Sequence, residues 1–231
     1  MSHPSVSFPG LFFLFDLDGV IVDSMPMHNE AWRIYLNKRG LTPDARDIDS
    51  TMHGRRNDEI VRHFFGAHLT IDEIEAHGAE KELLFRDMMN AELERHLVPG
   101  VREFLSETTD VPAAVVSNAE RSNIDFVLDG AGLRWRFQAV VDGHQVAHAK
   151  PAPDLYLKAA ELLGAPLSQC VVFEDSPAGI AAGRASGACV IGVATHPAIH
   201  TNELPKVDLV IQDFRDPVLV PWLSGIAAAV K

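Results

Sequence analysis

The chain has 231 residues, of which 47% are hydrophobic and 23% are charged, and its formal net charge is −12. This length and composition fit one large globular domain, or a core that carries a smaller insert, and they exclude a disordered chain. The acidic balance argues against a nucleic-acid partner, which normally needs a basic face. It is compatible with a small anionic substrate held by a metal ion and a few basic groups.

No basic segment followed by a long apolar stretch stands at the N-terminus, and the apolar run at 11–15 stops at Asp16. We therefore expect neither a signal peptide nor a transmembrane span, and a cytoplasmic protein. Cys170 and Cys189 lie in apolar runs. This predicts buried, reduced thiols on strands rather than a disulfide or a zinc site.

Apolar runs alternate with helical patterns through most of the chain. The predicted strands are 11–15, 111–116, 170–173, 188–193 and 207–211, and the predicted helices between and after them are 121–130, 153–163, 177–184 and 215–230. Strands that alternate with helices predict an α/β fold with a doubly wound parallel sheet, a Rossmann-like core.

One stretch, from about residue 26 to about residue 97, breaks the alternation because it contains no strand-like run. Residues 27–39, 58–65 and 71–93 have helical patterns, and Pro99-Gly100 marks the return to the α/β pattern. We therefore predict an α/β catalytic core at 1–25 and 98–231, with a helical cap inserted at 26–97.

Polar residues follow three of the predicted strands. They are Asp16 and Asp18, then Ser117 and Asn118, then Glu174 and Asp175, while Lys150 stands between an alanine and a proline just before a helix. Parallel strands carry their ligand sites at their carboxyl ends, so these groups should converge. Clustered carboxylates repel one another unless a cation lies among them, and oxygen ligands with phosphate chemistry favour Mg²⁺.

This group of residues predicts phosphoryl transfer. A carboxylate nucleophile, Asp16, would form an aspartyl-phosphate and split the reaction into two steps. Asp18 can protonate the leaving oxygen and then deprotonate the incoming water or alcohol. Lys150, Ser117 and Asn118 would supply charge and hydrogen bonds to the phosphoryl oxygens.

Four segments in this order resemble the four motifs of the haloacid dehalogenase-like hydrolases: DLDGVIVDS at 16–24, SN at 117–118, KPAPD at 150–154 and EDSPAGI at 174–180. The position of the insert resembles the capped subgroup that contains β-phosphoglucomutase and sugar-phosphate phosphatases. The resemblance implies that Asp16 is the nucleophile and that Asp18 is the general acid/base.

The same resemblance implies a metal site. Asp18 would also offer its main-chain carbonyl to Mg²⁺, Asp175 would be a carboxylate ligand, and Glu174 would be a ligand or a neighbour of the ligands. Ser117 and Lys150 would bind the phosphoryl group. Dehalogenases of the family lack the second aspartate and need no metal, so Asp18 selects phosphoryl transfer.

The start of the predicted cap also resembles the β-phosphoglucomutase subgroup. His28 and Trp32 are candidate substrate-binding residues, although packing within the cap is the alternative for Trp32. The cap arginine that holds the far phosphate in the mutase aligns with Asn57. Arg55 and Arg56, just before it, could compensate or could form a solvated pair.

A lysine that follows the second motif in the mutase is replaced here by Glu120. A mutase must retain a bisphosphate intermediate, so the loss of cations favours a phosphatase acting on a small phosphorylated metabolite, with a sugar-phosphate mutase as the alternative. An alternative of another class is a phospho-acceptor signalling module, although such modules are about half this length and lack the second aspartate. The sequence leaves the substrate and the oligomeric state open.

Overall fold

The computed structural model describes residues 6–52, 56–195 and 206–230. The chain divides into two compact units, unit 1 at residues 1–23 and 96–231 and unit 2 at residues 24–95. The strands are β1 (Phe12–Phe15), β2 (Ala113–Ser117), β3 (Ala139–Asp142), β4 (Cys170–Glu174), β5 (Cys189–Val193) and β6 (Leu209–Ile211). The helices are α1 (Met25–Asn37), α2 (Ala45–Met52), α3 (Asn57–Phe65), α4 (Ile71–Asn90), α5 (Leu93–His96), α6 (Val101–Glu107), α7 (Arg121–Gly130), α8 (Asp154–Leu163), α9 (Pro177–Ser186) and α10 (Leu219–Ala229).

The described strands of unit 1 form one parallel sheet in the order β3-β2-β1-β4-β5-β6. The chain adds strands on one side of β1 as far as β3 and then returns to the other side with β4. The predicted doubly wound, Rossmann-like fold is therefore confirmed. Strand order reverses between β1 and β4, which is where open α/β sheets bind ligands.

Alternate residues of β1 face opposite sides of the sheet, as strand geometry requires. Leu14 packs into the apolar cluster that includes residues of α8 and α9. Phe15 stacks on Phe173 of the adjacent strand, with ring centroids 4.6 Å apart and planes 4° apart. Phe104 and Phe214 extend that aromatic layer. Both faces of β1 are thus covered by apolar side chains, which explains why its sequence is apolar at every position up to Asp16.

Helix α9 begins at a position where its first turn is capped. The Ser176 hydroxyl accepts a hydrogen bond from the main-chain N–H of Gly179, and Pro177 occupies the first turn, where its missing N–H costs nothing. The helix ends at Gly187, whose φ of +87° is left-handed. These signals fix the start of α9 directly after the acidic end of β4.

Unit 2 is helical and contains α1 to α4. Its core consists of large apolar side chains of α1, α3 and α4 together with Ile48 of α2: Trp32, Tyr35, Leu36, Ile48, Ile60, Val61 and Ile74. Helix α4 begins with a capping box, in which Thr70 accepts from the N–H of Glu73 and Glu73 accepts from the N–H of Thr70.

The structure adds elements that the sequence pattern did not predict and corrects one detail. Strand β3, helix α2 and helix α6 are additional. Cys170 is buried as predicted, but Cys189 is only half-buried, and its Sγ lies 3.4 Å from a carboxylate oxygen of Asp208. In the described part of the chain, no helix has the length and apolar character needed to cross a membrane.

Candidate active site

The acidic residues at the ends of β1 and β4 lie side by side because the two strands are hydrogen-bonded neighbours. Phe15 is paired with Phe173, and the N–H of Asp16 donates to the Phe173 carbonyl at 3.0 Å. Ligand oxygens of Asp16, Glu174 and Asp175 all lie within 4.8 Å of one another, and all three residues are buried. The predicted convergence of these carboxylates is therefore present in the fold.

A tight turn follows Asp16 and positions Asp18. The N–H groups of Ile21 and Val22 donate to the Leu17 carbonyl, and the Gly19 N–H donates to the Val22 carbonyl at 2.7 Å. The Thr195 hydroxyl donates to the Gly19 carbonyl at 2.6 Å. The turn keeps Asp18 near enough to Asp16 for its charge to affect that carboxyl.

Lys150 is the cation of this cluster. Its Nζ donates to Asp16 Oδ1 at 2.7 Å, to Glu174 Oε1 at 2.6 Å and to the Val116 carbonyl at 2.8 Å. An ammonium has three N–H donors, so these three partners use all of them and fix its position. Burial opposes the charged form, but the carboxylates of Asp16 and Glu174 outweigh it and raise the pKa of Lys150.

Both carboxylate oxygens of Glu174 are used within the protein. Oε1 accepts from Lys150 and from the Tyr156 hydroxyl, and Oε2 accepts from the N–H groups of Asp175 and Ser176 and from the Ser176 hydroxyl. Gly179 leaves space for this carboxylate, because a Cβ on Gly179 would lie 1.7 Å from Oε1. Glu174 therefore organises the turn between β4 and α9.

The electrostatics of the cluster favour a bound cation. Burial, opposed by Lys150 and reinforced by Glu174 and Asp18, raises the pKa of Asp16 to about 8. Burial and the charges of Glu174 and Asp16 raise the pKa of Asp175 well above its usual range. Lys150 alone does not neutralise these carboxylates, and a hard divalent ion on carboxylate oxygens would offset the remaining charge. The donor set fits Mg²⁺.

Ser117 and Asn118 follow β2. The Ser117 Oγ accepts from the N–H of Ala119 at 3.0 Å, which leaves its hydroxyl proton to donate elsewhere. The Asn118 amide bonds the main chain of Lys150 at both ends: Oδ1 accepts from the Lys150 N–H at 3.1 Å and Nδ2 donates to the Lys150 carbonyl at 3.3 Å. Asn118 therefore holds the backbone that carries Lys150.

The predicted cap residues that the structure describes belong to unit 2. His28 stacks on Phe85, with ring centroids 3.7 Å apart, and its Nδ1 accepts from Lys81 Nζ at 2.9 Å. Burial and Lys81, opposed by Glu82, lower the pKa of His28 to about 3, so the imidazole is neutral. Trp32 is buried, and Lys81 Nζ lies 5.1 Å from its ring centroid.

Arg56 is exposed, and its Nε lies 3.4 Å from Asp58 Oδ1. Arg55 lies outside the described residues. Asn57, which aligns with the mutase arginine, donates to Glu82 Oε1 at 2.7 Å.

The sequence pattern did not indicate Tyr156, which contacts Glu174, or Lys81 and Glu82, which lie against His28. Lys81 donates to Glu82 Oε1 at 2.6 Å, and both side chains are almost fully buried. A Lys-Glu pair in a long polar helix is typical of a solvated face, so the sequence carried little signal for burial here. The one available clue was the spacing, because residues 78, 81, 82, 85 and 89 lie on one face of α4.

Comparisons with known proteins agree with this geometry. A family model described as haloacid dehalogenase-like hydrolase matches residues 12–187. Hexitol phosphatase A from Escherichia coli is 35% identical over 92% of this chain and 95% of its own length. The fructose-1-phosphate phosphatase YqaB from the same organism is 34% identical over 78% of this chain and 94% of its own.

The fold is shared with a solved haloacid dehalogenase hydrolase of family IA, variant 3, from Entamoeba histolytica. Its TM-score is 0.82 at 23% identity, and the match covers 94% of this chain and 99% of that one. A doubly wound sheet with an acidic cluster at its switch point is typical of α/β proteins that bind a ligand at the carboxyl ends of their strands. The chain belongs to the haloacid dehalogenase-like hydrolases, and its similarity to the two Escherichia coli phosphatases supports phosphatase activity.

Proposed function

We propose that this hydrolase is a Mg²⁺-dependent phosphatase that acts on a small phosphorylated metabolite, most readily a sugar phosphate, through an aspartyl-phosphate on Asp16. The observation that carries the proposal is the buried Asp16, held by Lys150 beside two further carboxylates at the switch point of the sheet. The sugar-phosphate class is supported by two of the relatives, which are named hexitol phosphatase A and fructose-1-phosphate phosphatase.

In the first step, Asp16 attacks the phosphorus. Lys150 engages Oδ1, so Oδ2 is the oxygen that we assign to bond formation. The bond from phosphorus to the leaving oxygen breaks as Asp18 gives that oxygen a proton. In the second step, Asp18 takes a proton from water, which attacks the phosphorus and releases phosphate and Asp16.

The remaining residues of unit 1 bind and orient the phosphoryl group. Ser117 has a hydroxyl proton to donate to a phosphoryl oxygen, Lys150 places its positive charge there, and Asn118 positions Lys150. Asp16, Asp175 and the main-chain carbonyl of Asp18 would hold Mg²⁺, with Glu174 organising the turn that carries Asp175. When bound, Mg²⁺ would neutralise charge on the transferring group.

The described contacts of unit 2 support water rather than a sugar hydroxyl as the acceptor. A mutase has to retain a second phosphate and needs cations to do so. In unit 2, Asn57 donates to Glu82, and Glu82 also pairs with Lys81. With His28 neutral, the charges of these four side chains sum to zero. We propose that unit 2 selects the substrate and that His28 belongs to its recognition surface, whereas Trp32 is buried in the core of unit 2 and packs there, which is the alternative role for this residue.

The proposal is tested with a panel of sugar phosphates and polyol phosphates, using inorganic phosphate release as the readout, with and without Mg²⁺. We expect Mg²⁺-dependent release that is abolished in Asp16→Asn. Activity retained by Asp16→Asn would overturn the nucleophile assignment. Isomerised product without phosphate release, on addition of a sugar bisphosphate, would establish the mutase instead.

The phospho-acceptor alternative predicts a different result in the same assay. Such a module would keep a long-lived phosphate on Asp16 and would turn over no substrate. The match to a hydrolase family over residues 12–187 favours turnover.

A further inference from the structure

Tyr156 lies in the first turn of α8 and is fully buried. Its ring packs in the apolar cluster that includes Leu14, Val116 and Val172 on one face of the sheet. Its hydroxyl points out of that cluster and donates to Glu174 Oε1 at 2.7 Å. A phenylalanine would fill the same apolar space, so packing alone does not explain the hydroxyl.

The acceptor of this hydrogen bond is the same oxygen that pairs with Lys150. Oε1 of Glu174 accepts from Tyr156 at 2.7 Å and from Lys150 Nζ at 2.6 Å. Lys150 Nζ also lies 5.0 Å from the centroid of the Tyr156 ring and donates to Asp16 Oδ1 at 2.7 Å. One ammonium is thus shared between two carboxylates, and Tyr156 contacts one of them directly.

We propose that Tyr156 is a positioning residue that sets how Lys150 is shared between Glu174 and Asp16. The hydroxyl satisfies a lone pair of Glu174 Oε1 and weakens the pull of that oxygen on Lys150. Without this donor, the buried Glu174 carboxylate would draw Lys150 towards itself and away from Asp16 and the phosphoryl group. The inference rests on the proposed roles of Asp16 and Lys150.

The chain supplies a matched control, because its only other tyrosine is also buried and hydrogen-bonded. Tyr35, in α1 of unit 2, has its hydroxyl 2.8 Å from Nδ1 of His77. Tyr35→Phe removes a hydroxyl from a comparable environment that contains none of the residues of the acidic cluster. Tyr156→Phe keeps the aromatic ring beside Lys150 and removes only the hydrogen bond to Glu174.

The experiment compares Tyr156→Phe, Tyr35→Phe and the wild type in three measurements: kcat and KM for a sugar phosphate, the Kd of inorganic phosphate by calorimetry, and Tm. Hydrogen bonds to charged groups are strong enough that we expect kcat to fall about tenfold in Tyr156→Phe. We expect phosphate binding to weaken about fivefold, since the ammonium that contacts it has moved, and KM to change less than kcat. Tyr35→Phe should match the wild type in kcat and in phosphate Kd.

Two results would overturn the inference. One is a Tyr156→Phe variant with wild-type kcat and wild-type phosphate affinity. The other is a loss of activity that only follows a lower folded fraction, with Tm well below that of Tyr35→Phe. The proposed function fails separately, if Asp16→Asn remains active or if no phosphate ester is hydrolysed by the wild type.

Discussion

Gly19 lies directly against the carboxylate of Asp175: a Cβ built on Gly19 would be 1.9 Å from Asp175 Oδ2. The φ of Gly19 is +78°, a left-handed backbone conformation that costs energy for any residue with a Cβ. The glycine is therefore required twice, once by the turn after β1 and once by the neighbouring carboxylate.

We expect Gly19→Ala to lower Mg²⁺ affinity at least about tenfold, because the new methyl group displaces Asp175. The measurement is a calorimetric Mg²⁺ titration. Gly132→Ala is the matched control, since Gly132 is also in unit 1 with φ +64° but a Cβ there would meet no atom within 4 Å. Gly132→Ala should lower the free energy of unfolding by about 1 kcal/mol, because alanine adopts a left-handed φ at a cost. Its Mg²⁺ affinity should be unchanged. Equal Mg²⁺ affinities in the two variants would contradict the steric argument.

Asp18→Asn should lower kcat about 10²- to 10⁴-fold, because an amide can neither protonate the leaving oxygen nor deprotonate water. The main-chain carbonyl is unchanged, so Mg²⁺ affinity should stay within about threefold of the wild type. Rapid acid quench with labelled substrate should show phosphoenzyme accumulating if hydrolysis of the acyl phosphate is slowed more than its formation. Asp23→Asn, in the same segment, is the control. A wild-type kcat in Asp18→Asn would show that another group transfers the proton.

Glu82→Gln should destabilise the protein by about 3 kcal/mol, because it replaces the carboxylate that pairs with the buried Lys81 ammonium by a neutral amide. Urea unfolding at neutral pH measures this free energy. Glu80→Gln is the control on the same helix: Glu80 is exposed and pairs with Arg39, so its loss should cost less than about 1 kcal/mol. Similar losses in the two variants would mean that Lys81 and Glu82 are more hydrated than their burial indicates.

His28 should make the protein less stable at mildly acidic pH. Its pKa is lowered from 6.5 to about 3 in the folded protein, so between these values the unfolded chain binds a proton that the folded chain does not. The free energy of unfolding therefore falls as the pH drops below 6.5, by about 2 kcal/mol at pH 5 from this residue. The charged neighbours are Lys81 and Glu82, and the pKa of Glu82, lowered to about 2, keeps it ionised over this range.

The measurement for His28 is urea unfolding at pH 5 and pH 7 for the wild type, His28→Asn and His63→Asn. The free energy of unfolding differs between pH 7 and pH 5, and this difference should be about 2 kcal/mol smaller in His28→Asn than in the wild type. His63→Asn is the control for the loss of an imidazole from unit 2, since His63 is exposed whereas His28 is not. A wild-type pH dependence in His28→Asn would show that the imidazole accepts a proton in the folded state.

The sequence predicted the elements whose pattern is local. Asp16 and Glu174 could be assigned to one site because each ends an apolar run, and parallel strands align such ends. Strand β3 was missed because it is short and lies at an edge of the sheet, where Ala139 and Val140 are half-exposed. Helix α2, ARDIDSTM, has too few apolar residues to show a helical period.

The contacts of Tyr156 could not be predicted in the same way. Within its segment it is one more large residue on the inner face of a helix, at a spacing that indicates core packing. Its partner Glu174 lies 18 residues away and on another element. The packing of α8 against the sheet brings the hydroxyl to Glu174, and that packing depends on contacts between distant segments rather than on the neighbouring sequence.

The insertion points of unit 2 are tied together within unit 1. The N–H of Asp23 donates to the His96 carbonyl at 2.7 Å, and the His96 imidazole lies 2.9 Å from the Asp23 carbonyl. The chain leaves unit 1 at Asp23 and returns to it at His96, and these two residues are hydrogen-bonded to each other. Unit 1 therefore sets the distance between the two ends of the insert, whatever peptide connects them. Recombination could exchange residues 24–95 for another module and leave the reactive sheet intact. With unit 2 in its proposed role, substrate range and reaction chemistry can evolve in different segments of one gene.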